Sequence, residues 1–212
     1  MDAPPNPPRR RLSRARTLVY LVFLVVAAVF VFAYGIEGLR FFRVPSESML
    51  PMLSPGDFIA TLPQPAYRRG DIVVLADPLA KGGFLVKRVV AVAGDTVEGS
   101  LGYLSVKGKY ASEPYIREPM NYLLEPLTVP DGEVLVLGDN RNESDDASRW
   151  LIDPDTGEAI DASNAQSDIV NGKRWKRTVS ASTITGAVVY RYLPFGRIGP
   201  IHGYPLTNSA GE

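Results

Sequence analysis

The sequence predicts a mainly β domain that follows a single N-terminal transmembrane helix. Two observations carry this prediction. An uncharged apolar stretch covers residues 17–36 of the 212-residue chain. Beyond residue 44, short runs of β-branched and apolar residues alternate with Gly-Asp and Pro-Gly steps, a pattern typical of strands joined by tight turns. About 170 residues follow the arm and the apolar stretch, which is enough for one well-cored domain.

Residues 17–36 (TLVYLVFLVVAAVFVFAYGI) form the predicted transmembrane helix. At a rise of about 1.5 Å per residue, a helix of this length spans a hydrocarbon core about 30 Å thick. The alternative is a cleaved secretory signal peptide, but the stretch is longer than the apolar region of such peptides and no small-x-small site closes it. Residues 1–16 precede it as a basic, proline-rich arm.

The distribution of arginines predicts the orientation of the chain in a membrane. Five arginines precede the apolar stretch, namely Arg9, Arg10, Arg11, Arg14 and Arg16, whereas Arg40 and Arg43 follow it. The positive-inside rule therefore places the N-terminus in the cytoplasm and the rest of the chain on the outer, periplasmic side. We predict a single-pass protein of the plasma (inner) membrane in contact with membrane lipid, with an organellar membrane as the alternative.

Charge and cysteine content exclude several classes of function. From Val44 onward there are 16 Lys+Arg and 21 Asp+Glu, a net charge of about −5, which argues against a nucleic-acid partner. The chain has no cysteine, so it has no disulfide, thiol nucleophile or thiolate metal site. One histidine, His202, is too few for a zinc peptidase, and we predict that it is an exposed side chain. No cofactor or metal is expected.

The predicted outer domain covers residues 37–204. Its predicted strands are Asp57–Ala60, Asp71–Leu75, Phe84–Val92, Thr96–Val97, Glu133–Leu137 and Ala187–Tyr192. Polar residues and turn dipeptides interrupt this rhythm at residues 151–176, which we interpret as an insertion at one edge. Residues 205–212 are predicted to form a flexible tail.

A serine-containing segment about ten residues after the apolar stretch holds a candidate nucleophile. Residues 45–51 are Pro-Ser-Glu-Ser-Met-Leu-Pro. A serine hydroxyl needs a base, and with histidine confined to the C-terminal region a lysine is the next candidate. Lysine can serve only if burial lowers its pKa well below the ordinary value of about 10.4. Of the six lysines, only Lys87 lies in a strand-like apolar run. Taken alone, a lysine at this position is more often a solvent-facing strand residue than a buried base.

Four short motifs follow one another along the chain. They are residues 45–51 with Gly56-Asp57, residues 69–74 (RGDIVV), residues 87–90 (KRVV) with Gly94-Asp95, and residues 138–141 (GDNR) with Ser144, Asp146 and Arg149. In this order they resemble the type I signal peptidases, membrane-anchored Ser/Lys endopeptidases that remove signal sequences from exported proteins. The resemblance covers nearly the whole chain and implies a signal-peptidase-like domain of antiparallel sheets that is monomeric and needs no cofactor.

The resemblance implies a role for individual residues. Ser48 would be the nucleophile and Lys87 the general base, while the Ser46 hydroxyl and the Ser48 backbone N–H would form an oxyanion hole. Three supporting roles are implied: Ser144 would orient the Lys87 amine, Asp139 would pair with Arg88, and Arg149 would pair with Asp145 or Asp146. The implied substrate-binding residues are Phe42, Val44, Leu53, Leu85 and Val86, which would admit small apolar side chains at substrate positions −1 and −3.

The chain departs from the family pattern at two places. Met52 stands where the family has a small hydroxyl residue, and the last motif is one residue longer than the family's Ser-x-Asp-Ser-Arg, so the partner of Arg149 is open. The implied function is hydrolysis of the peptide bond after the signal sequence of exported preproteins through an acyl-enzyme. The alternatives are an inactive membrane-tethered scaffold and another Ser/Lys endopeptidase of the same fold, such as a self-cleaving repressor, although those repressors carry a DNA-binding domain where this chain has its apolar stretch.

Overall fold

The computed structural model describes residues 14–35, 37–162 and 175–204. Most of the predicted arm (1–16), residues 163–174 of the predicted insertion and the predicted tail (205–212) lie outside the described residues. By its internal contacts the chain divides into two compact units, Met1–Leu39 and Arg40–Glu212.

The first unit contains one helix, α1, at Arg14–Gly35. It begins three residues before the predicted span, and no charged residue follows Arg16 within it. Its large apolar side chains between Leu18 and Val31 are exposed on all sides; Leu18, Phe23 and Val31 are 63%, 67% and 68% exposed. A helix that is apolar on every side requires an apolar environment. The stretch Arg14–Val31 is long and apolar enough to cross a membrane.

The described residues of the second unit form fourteen strands, and every pairing between these strands is antiparallel. In chain order the strands are β1 (Arg40–Arg43), β2 (Phe58–Leu62), β3 (Ile72–Ala76), β4 (Phe84–Val92), β5 (Thr96–Ser100), β6 (Tyr103–Val106), β7 (Lys109–Tyr110), β8 (Leu124–Thr128), β9 (Glu133–Leu137), β10 (Trp150–Ile152), β11 (Ala159–Asp161), β12 (Val179–Ser180), β13 (Ile184–Leu193) and β14 (Gly199–Pro200). The predicted fold class, mainly β with antiparallel sheets and one N-terminal helix, is confirmed.

The strands form one large sheet, one small sheet and a hairpin. The large sheet has the order β1-β2-β13-β3-β4-β9-β12, with β14 paired to β13. The small sheet has the order β7-β6-β5-β8, and β10 pairs with β11 as a separate hairpin. Strand β4 is the nine-residue run predicted from its β-branched residues. It lies between β3 and β9, where Val73 pairs with Lys87 and Leu137 pairs with Arg88.

Two hydrophobic clusters lie on the two faces of the large sheet. Alternate residues of β3 show this directly, because Val73 and Leu75 belong to the larger cluster while Ile72 and Val74 belong to the smaller one. The larger cluster extends through β9 to Trp150 and to the small sheet. The smaller cluster contains the residues that flank the serine segment, namely Val44, Met49 and Leu53. The serine segment is therefore held by packing at one face of the sheet.

The Gly-Asp step after β4 is a turn, as the sequence predicts. Gly94 has a φ of 78°, a left-handed conformation that favours glycine. The Asp95 carboxylate accepts a hydrogen bond from Val92 N at 2.9 Å and forms an ion pair with Arg69. The Asp95 side chain thus closes the turn after β4 and connects it to Arg69, the first residue of the second motif.

The described part of the predicted insertion contains regular secondary structure and buried residues. It contains the β10–β11 hairpin, and Ile152 forms a bridge with Lys176. Leu151, Ile152 and Asp153 are buried. Residues 151–162 and 175–176 therefore contribute to the packed domain.

Candidate active site

Ser48 lies in a turn between β1 and β2, and it meets Lys87 of β4 at hydrogen-bond distance. Lys87 Nζ donates to Ser48 Oγ at 2.8 Å. Both residues are buried, with Ser48 6% and Lys87 2% exposed. The Ser46 hydroxyl donates to Ser48 Oγ at 3.3 Å. The fold thus brings together three residues that the sequence singles out, although 39 positions separate Ser48 from Lys87.

Burial lowers the pKa of Lys87 below its ordinary value. The carboxylates of Asp146, Asp145, Asp77 and Asp139 oppose this shift, but their effect is smaller than that of desolvation. Among the residues that the structure describes, no carboxylate lies within ion-pair distance of the Lys87 amine. A buried amine without a counter-ion favours its neutral form, which is the form that can accept a proton from a serine hydroxyl.

The loop after β9 fixes the backbone of the serine turn. Asn140 N donates to Ser48 O at 3.0 Å, and Asn140 Nδ2 donates to Glu47 O at 3.2 Å. Leu50 N also donates to Glu47 O, at 3.0 Å. In contrast, the Ser48 N–H donates no hydrogen bond to any described residue. This N–H is therefore free to act as one donor of an oxyanion hole.

Gly138 and Asp146 shape the same loop. A Cβ atom at Gly138 would lie 2.5 Å from Ser48 O and closer still to Ser144 Oγ, so only glycine fits beside the serine turn. The fully buried Asp146 carboxylate accepts hydrogen bonds from Gly138 N at 2.7 Å and from Ser148 N at 2.9 Å. These contacts fold residues 138–148 back towards Ser48.

Arg88 and Asp139 form a buried ion pair directly next to Lys87. Arg88 Nε and Nη2 each donate to one Asp139 oxygen at 2.7 Å, and both side chains are 0% exposed. Arg88 Nη1 donates to Gly70 O at 2.7 Å, and the guanidinium lies 4.0 Å from the centre of the Tyr115 ring. Burial raises the pKa of Asp139, and the Arg88 contacts oppose that rise. The predicted Arg88–Asp139 contact is thus present in the structure, and it links β4 to the loop after β9.

A second buried pair, which the sequence did not indicate, extends this network. Arg141 forms an ion pair with Glu113, in which Arg141 Nη1 donates to Glu113 Oε2 at 2.9 Å. The Tyr115 hydroxyl also donates a hydrogen bond to Glu113, at 2.7 Å. Burial raises the pKa of Tyr115 well above its ordinary value, with a smaller contribution from Glu113. The segment between β7 and β8 is therefore attached to the loop that holds Ser48.

One predicted supporting contact is not formed in the structure, and one that the sequence left open between two partners is resolved. Ser144 Oγ is buried but has no hydrogen-bond partner among the described residues, so the predicted bond to the Lys87 amine is not formed. Arg149 pairs with Asp145 at 3.2 Å, and both side chains are largely exposed. Asp146 is fully buried inside the loop, where its two oxygens accept backbone N–H groups, and among the described ion pairs the largely exposed Arg149 has none with it.

Four of the five predicted substrate-binding residues share one cluster. Val44, Leu53 and Val86 are buried members of the smaller hydrophobic cluster, and Phe42 packs against it. Leu85 instead packs against the larger cluster. The physical reason is strand alternation, which sends neighbouring residues of β4 to opposite faces of the sheet. The structure therefore does not bring Leu85 together with the other four.

An ionic clamp that the sequence did not indicate holds the end of the serine turn. Asp57 is buried and pairs with Arg197 at 3.1 Å and with Arg191 at 3.4 Å. Arg191 Nη1 also donates to Met52 O at 3.0 Å. The sequence places Gly56-Asp57 in the first motif but does not indicate this clamp, because nothing in the local pattern links Asp57 to arginines more than 130 positions away.

The described residues contain no group of three or more His, Cys, Asp and Glu side chains placed to hold a metal ion. His202 is exposed and lies in the segment after β14. The chemical groups gathered around Ser48 are thus a hydroxyl, an amine and backbone amides, which together can carry out nucleophilic acyl transfer.

Comparison with known proteins assigns the chain to a family. The profile of the family described as signal peptidase, peptidase S26, matches residues 14–192. The protein named Probable signal peptidase I-1 of Synechocystis sp. is 40% identical over 129 residues, which cover 53% of this chain and 65% of that protein. Probable signal peptidase I-2 of the same organism is 35% identical over 165 residues, or 70% of each chain.

A chloroplast protein is similar as well. Thylakoidal processing peptidase 1 of Arabidopsis thaliana is 37% identical over 121 residues, which cover 50% of this chain and 36% of that protein. The chain thus spans less than two thirds of the length of this relative and of the first Synechocystis protein. The family profile nevertheless covers helix α1, the serine turn, β4 and the loop after β9. The chain is a membrane-anchored member, through its N-terminal helix, of the signal peptidase family, peptidase S26.

Proposed function

We propose that this protein is a type I signal peptidase, a serine endopeptidase that hydrolyses the peptide bond after the signal sequence of exported preproteins. One observation carries the proposal: Lys87 Nζ lies 2.8 Å from Ser48 Oγ, and both groups are buried. A buried lysine beside a serine hydroxyl combines a nucleophile with a base whose pKa is lowered. Membership of the family supports the same assignment.

In the proposed reaction, Ser48 Oγ attacks the carbonyl carbon of the scissile peptide bond while the neutral Lys87 amine accepts the hydroxyl proton. The negative charge that forms on the carbonyl oxygen is stabilised by the Ser48 N–H and the Ser46 hydroxyl. Lys87 then donates its proton to the leaving amine, and the C–N bond breaks to leave an acyl-enzyme. A water molecule then gives a proton to Lys87 and attacks the ester carbon, and Lys87 passes this proton to Ser48 Oγ as the ester C–O bond breaks, which releases the signal sequence and regenerates Ser48.

Substitution of the two residues tests this mechanism. Ser48→Ala and Lys87→Ala should each lower the rate of precursor cleavage at least about a thousandfold, because nucleophile and base act as one unit. Lys87→Arg should be equally inactive, since a guanidinium does not deprotonate at a usable pH. Lys107→Ala is the matched control: this lysine is 55% exposed and pairs with Asp95 at 3.2 Å, away from Ser48. Cleavage of a model precursor by the detergent-solubilised Ser48→Ala variant above a few per cent of wild type would refute the proposal.

The proposed substrates are preproteins with small apolar residues at −1 and −3. Their extended chain would add as a strand beside the segment before Ser48 and β4, so that alternate side chains point into the protein. Phe42, Val44, Leu53 and Val86 would line the pockets for these side chains, because they share one hydrophobic cluster with Met49, the neighbour of Ser48. Leu85 packs against the larger cluster, but it lies two residues from Lys87 and therefore on the same face of β4 as the proposed base.

The proposed topology has the N-terminus in the cytoplasm and residues beyond Val44 outside the plasma membrane, as a monomer in contact with lipid. The five arginines before the apolar stretch support this orientation. The absence of cysteine in the chain makes the test simple. A single cysteine introduced at Asn6 should react with a membrane-impermeant maleimide only after the cells are permeabilised. A cysteine at Leu101, which is 90% exposed, should react in intact spheroplasts. The opposite labelling pattern would reverse the orientation.

A further inference from the structure

We propose that Asn140 is a positioning residue for the oxyanion hole: its side-chain amide fixes the peptide plane that aims the Ser48 N–H at the reacting carbonyl. This inference rests on the proposed function, because it concerns the same nucleophile. Asn140 does not touch the reacting atoms in this mechanism and acts only through the backbone of the serine turn.

Asn140 binds two consecutive carbonyl groups of the serine turn. Its side-chain Nδ2 donates to Glu47 O at 3.2 Å, and its backbone N donates to Ser48 O at 3.0 Å. The residue is 0% exposed, and 93 positions of the chain separate it from Glu47. It therefore connects the loop after β9 to the backbone on both sides of the nucleophile.

Because the peptide group is rigid, the contact with Glu47 O also sets the direction of the Ser48 N–H. The carbonyl of Glu47 and the N–H of Ser48 belong to one planar trans peptide unit, in which they point in opposite directions. A donor that fixes the Glu47 oxygen therefore also fixes the direction of the Ser48 N–H. A hydrogen bond to this carbonyl also polarises the N–H at the other end of the same unit.

The free state of the Ser48 N–H makes this control chemically relevant. Within the described part of the chain this N–H has no hydrogen-bond partner. Leu50 N holds the Glu47 oxygen from within the turn, at 3.0 Å, and so moves with it. Asn140 is the contact that anchors the peptide to the sheet through β9.

The second atom of the amide argues against a role in stability alone. Asn140 Oδ1 is buried and has no hydrogen-bond partner among the residues that the structure describes. A buried polar atom without a partner destabilises a fold. An apolar side chain would avoid this cost, but it would leave Glu47 O without its donor from the β9 loop.

The test compares Asn140→Ala with Asn142→Ala in the full-length chain. Asn142 lies in the same loop, and its amide contacts the backbone of Pro119 and Asn121 at 3.1 and 2.9 Å, away from the serine turn. Steady-state cleavage of a peptide with alanine at −1 and −3 is measured across pH, together with binding of a non-cleavable peptide in which the scissile carbonyl is reduced.

For Asn140→Ala we expect kcat to fall about 10- to 100-fold, less than the 10²- to 10³-fold loss that follows complete removal of an oxyanion donor. KM and the affinity for the reduced peptide should stay within about twofold of wild type, because the substrate pocket is unchanged. The midpoint of the pH profile should stay within about 0.3 pH units, because Lys87 is unchanged. Asn142→Ala should match wild type in all four measurements. If Asn140→Ala does not fold, Asn140→Ser, which leaves a smaller void, is measured in its place.

Two results would overturn the inference. One is a kcat within twofold of wild type in the Asn140 variant. The other is a loss of kcat with an equal loss of affinity for the reduced peptide or with a shifted pH midpoint, which would indicate general disruption of the site. Either result leaves Ser48→Ala and Lys87→Ala inactive if the proposed function is right, whereas activity of Ser48→Ala refutes the function itself.

Discussion

Removal of the Asp139 carboxylate is expected to destabilise the domain strongly, because it leaves Arg88 as a buried charge without a partner. The pair has two hydrogen bonds of 2.7 Å and no exposed surface. Loss of one partner of a fully buried ion pair costs about 3–5 kcal/mol. In a domain of about 170 residues, each kcal/mol lowers Tm by about 2–4 °C. Asp139→Ala should therefore lower Tm by about 6–20 °C. The Tyr115 ring above the guanidinium does not replace the carboxylate, since a cation–π contact contributes less than the pair.

Differential scanning calorimetry of the detergent-solubilised chain measures this effect. Asp145→Ala is the control: it breaks the exposed pair with Arg149, and such pairs contribute at most about 1 kcal/mol. Replacement of both members of the buried pair by apolar residues, Arg88→Met with Asp139→Leu, should recover part of the lost stability because no unpaired charge remains. A Tm for Asp139→Ala within about 2 °C of wild type would show that the reasoning on the buried pair is wrong.

Four further predictions concern the serine site. Activity should rise with pH through the lowered pKa of Lys87, because only the neutral amine accepts a proton, and a rate that falls over that interval would contradict this role. At pH values between that lowered pKa and the ordinary pKa of lysine, the folded chain binds fewer protons than the unfolded chain, so the free energy of unfolding of the wild type should rise with pH. The Lys87→Met variant should not show this rise, and calorimetry across pH measures the difference. Gly138→Ala should lower both Tm and kcat, since its Cβ would lie 2.5 Å from Ser48 O, and wild-type kinetics in this variant would rule out that clash. In a peptide series, phenylalanine at −1 should reduce kcat/KM far more than the 10- to 200-fold associated with one methylene, and equal cleavage of alanine and phenylalanine would refute the pocket assignment.

The strands that could be predicted from the sequence are those with long β-branched runs. Phe84–Val92 and Glu133–Leu137 have the predicted bounds. Strands β1 and β8 were missed because their local sequences oppose the assignment: β1 has an arginine at each end, and β8 contains Pro126. Pairing with a neighbour decides these short edge segments, and that information is not local.

The candidate site shows the same division. Ser48 and Lys87 are identifiable because each lies in a distinctive local pattern, and the fold places their side chains together. The pairing of Arg149 with Asp145 was not predictable, because both aspartates are adjacent in sequence and only the burial of Asp146 separates them. The Asp57 clamp and the Asn140 contacts join segments more than 90 positions apart, and no periodicity or motif encodes such a contact.

The position of β13 in the large sheet has a consequence for biosynthesis. This strand, at Ile184–Leu193, lies between β2 and β3 in the sheet. Of the two arginines that pair with Asp57 at the end of the serine turn, Arg191 lies in β13 and Arg197 follows it. Strands β2 and β3 pair with β1 and β4 but not with each other, so these two parts of the sheet are joined only after nearly the whole chain has been made. A ribosome-bound or prematurely terminated chain that lacks residues 184–197 contains Ser48 and Lys87 but neither the strand that joins β2 to β3 nor the two arginines that pair with Asp57. Under the proposed function, nascent and truncated products of this kind are therefore expected to be inactive.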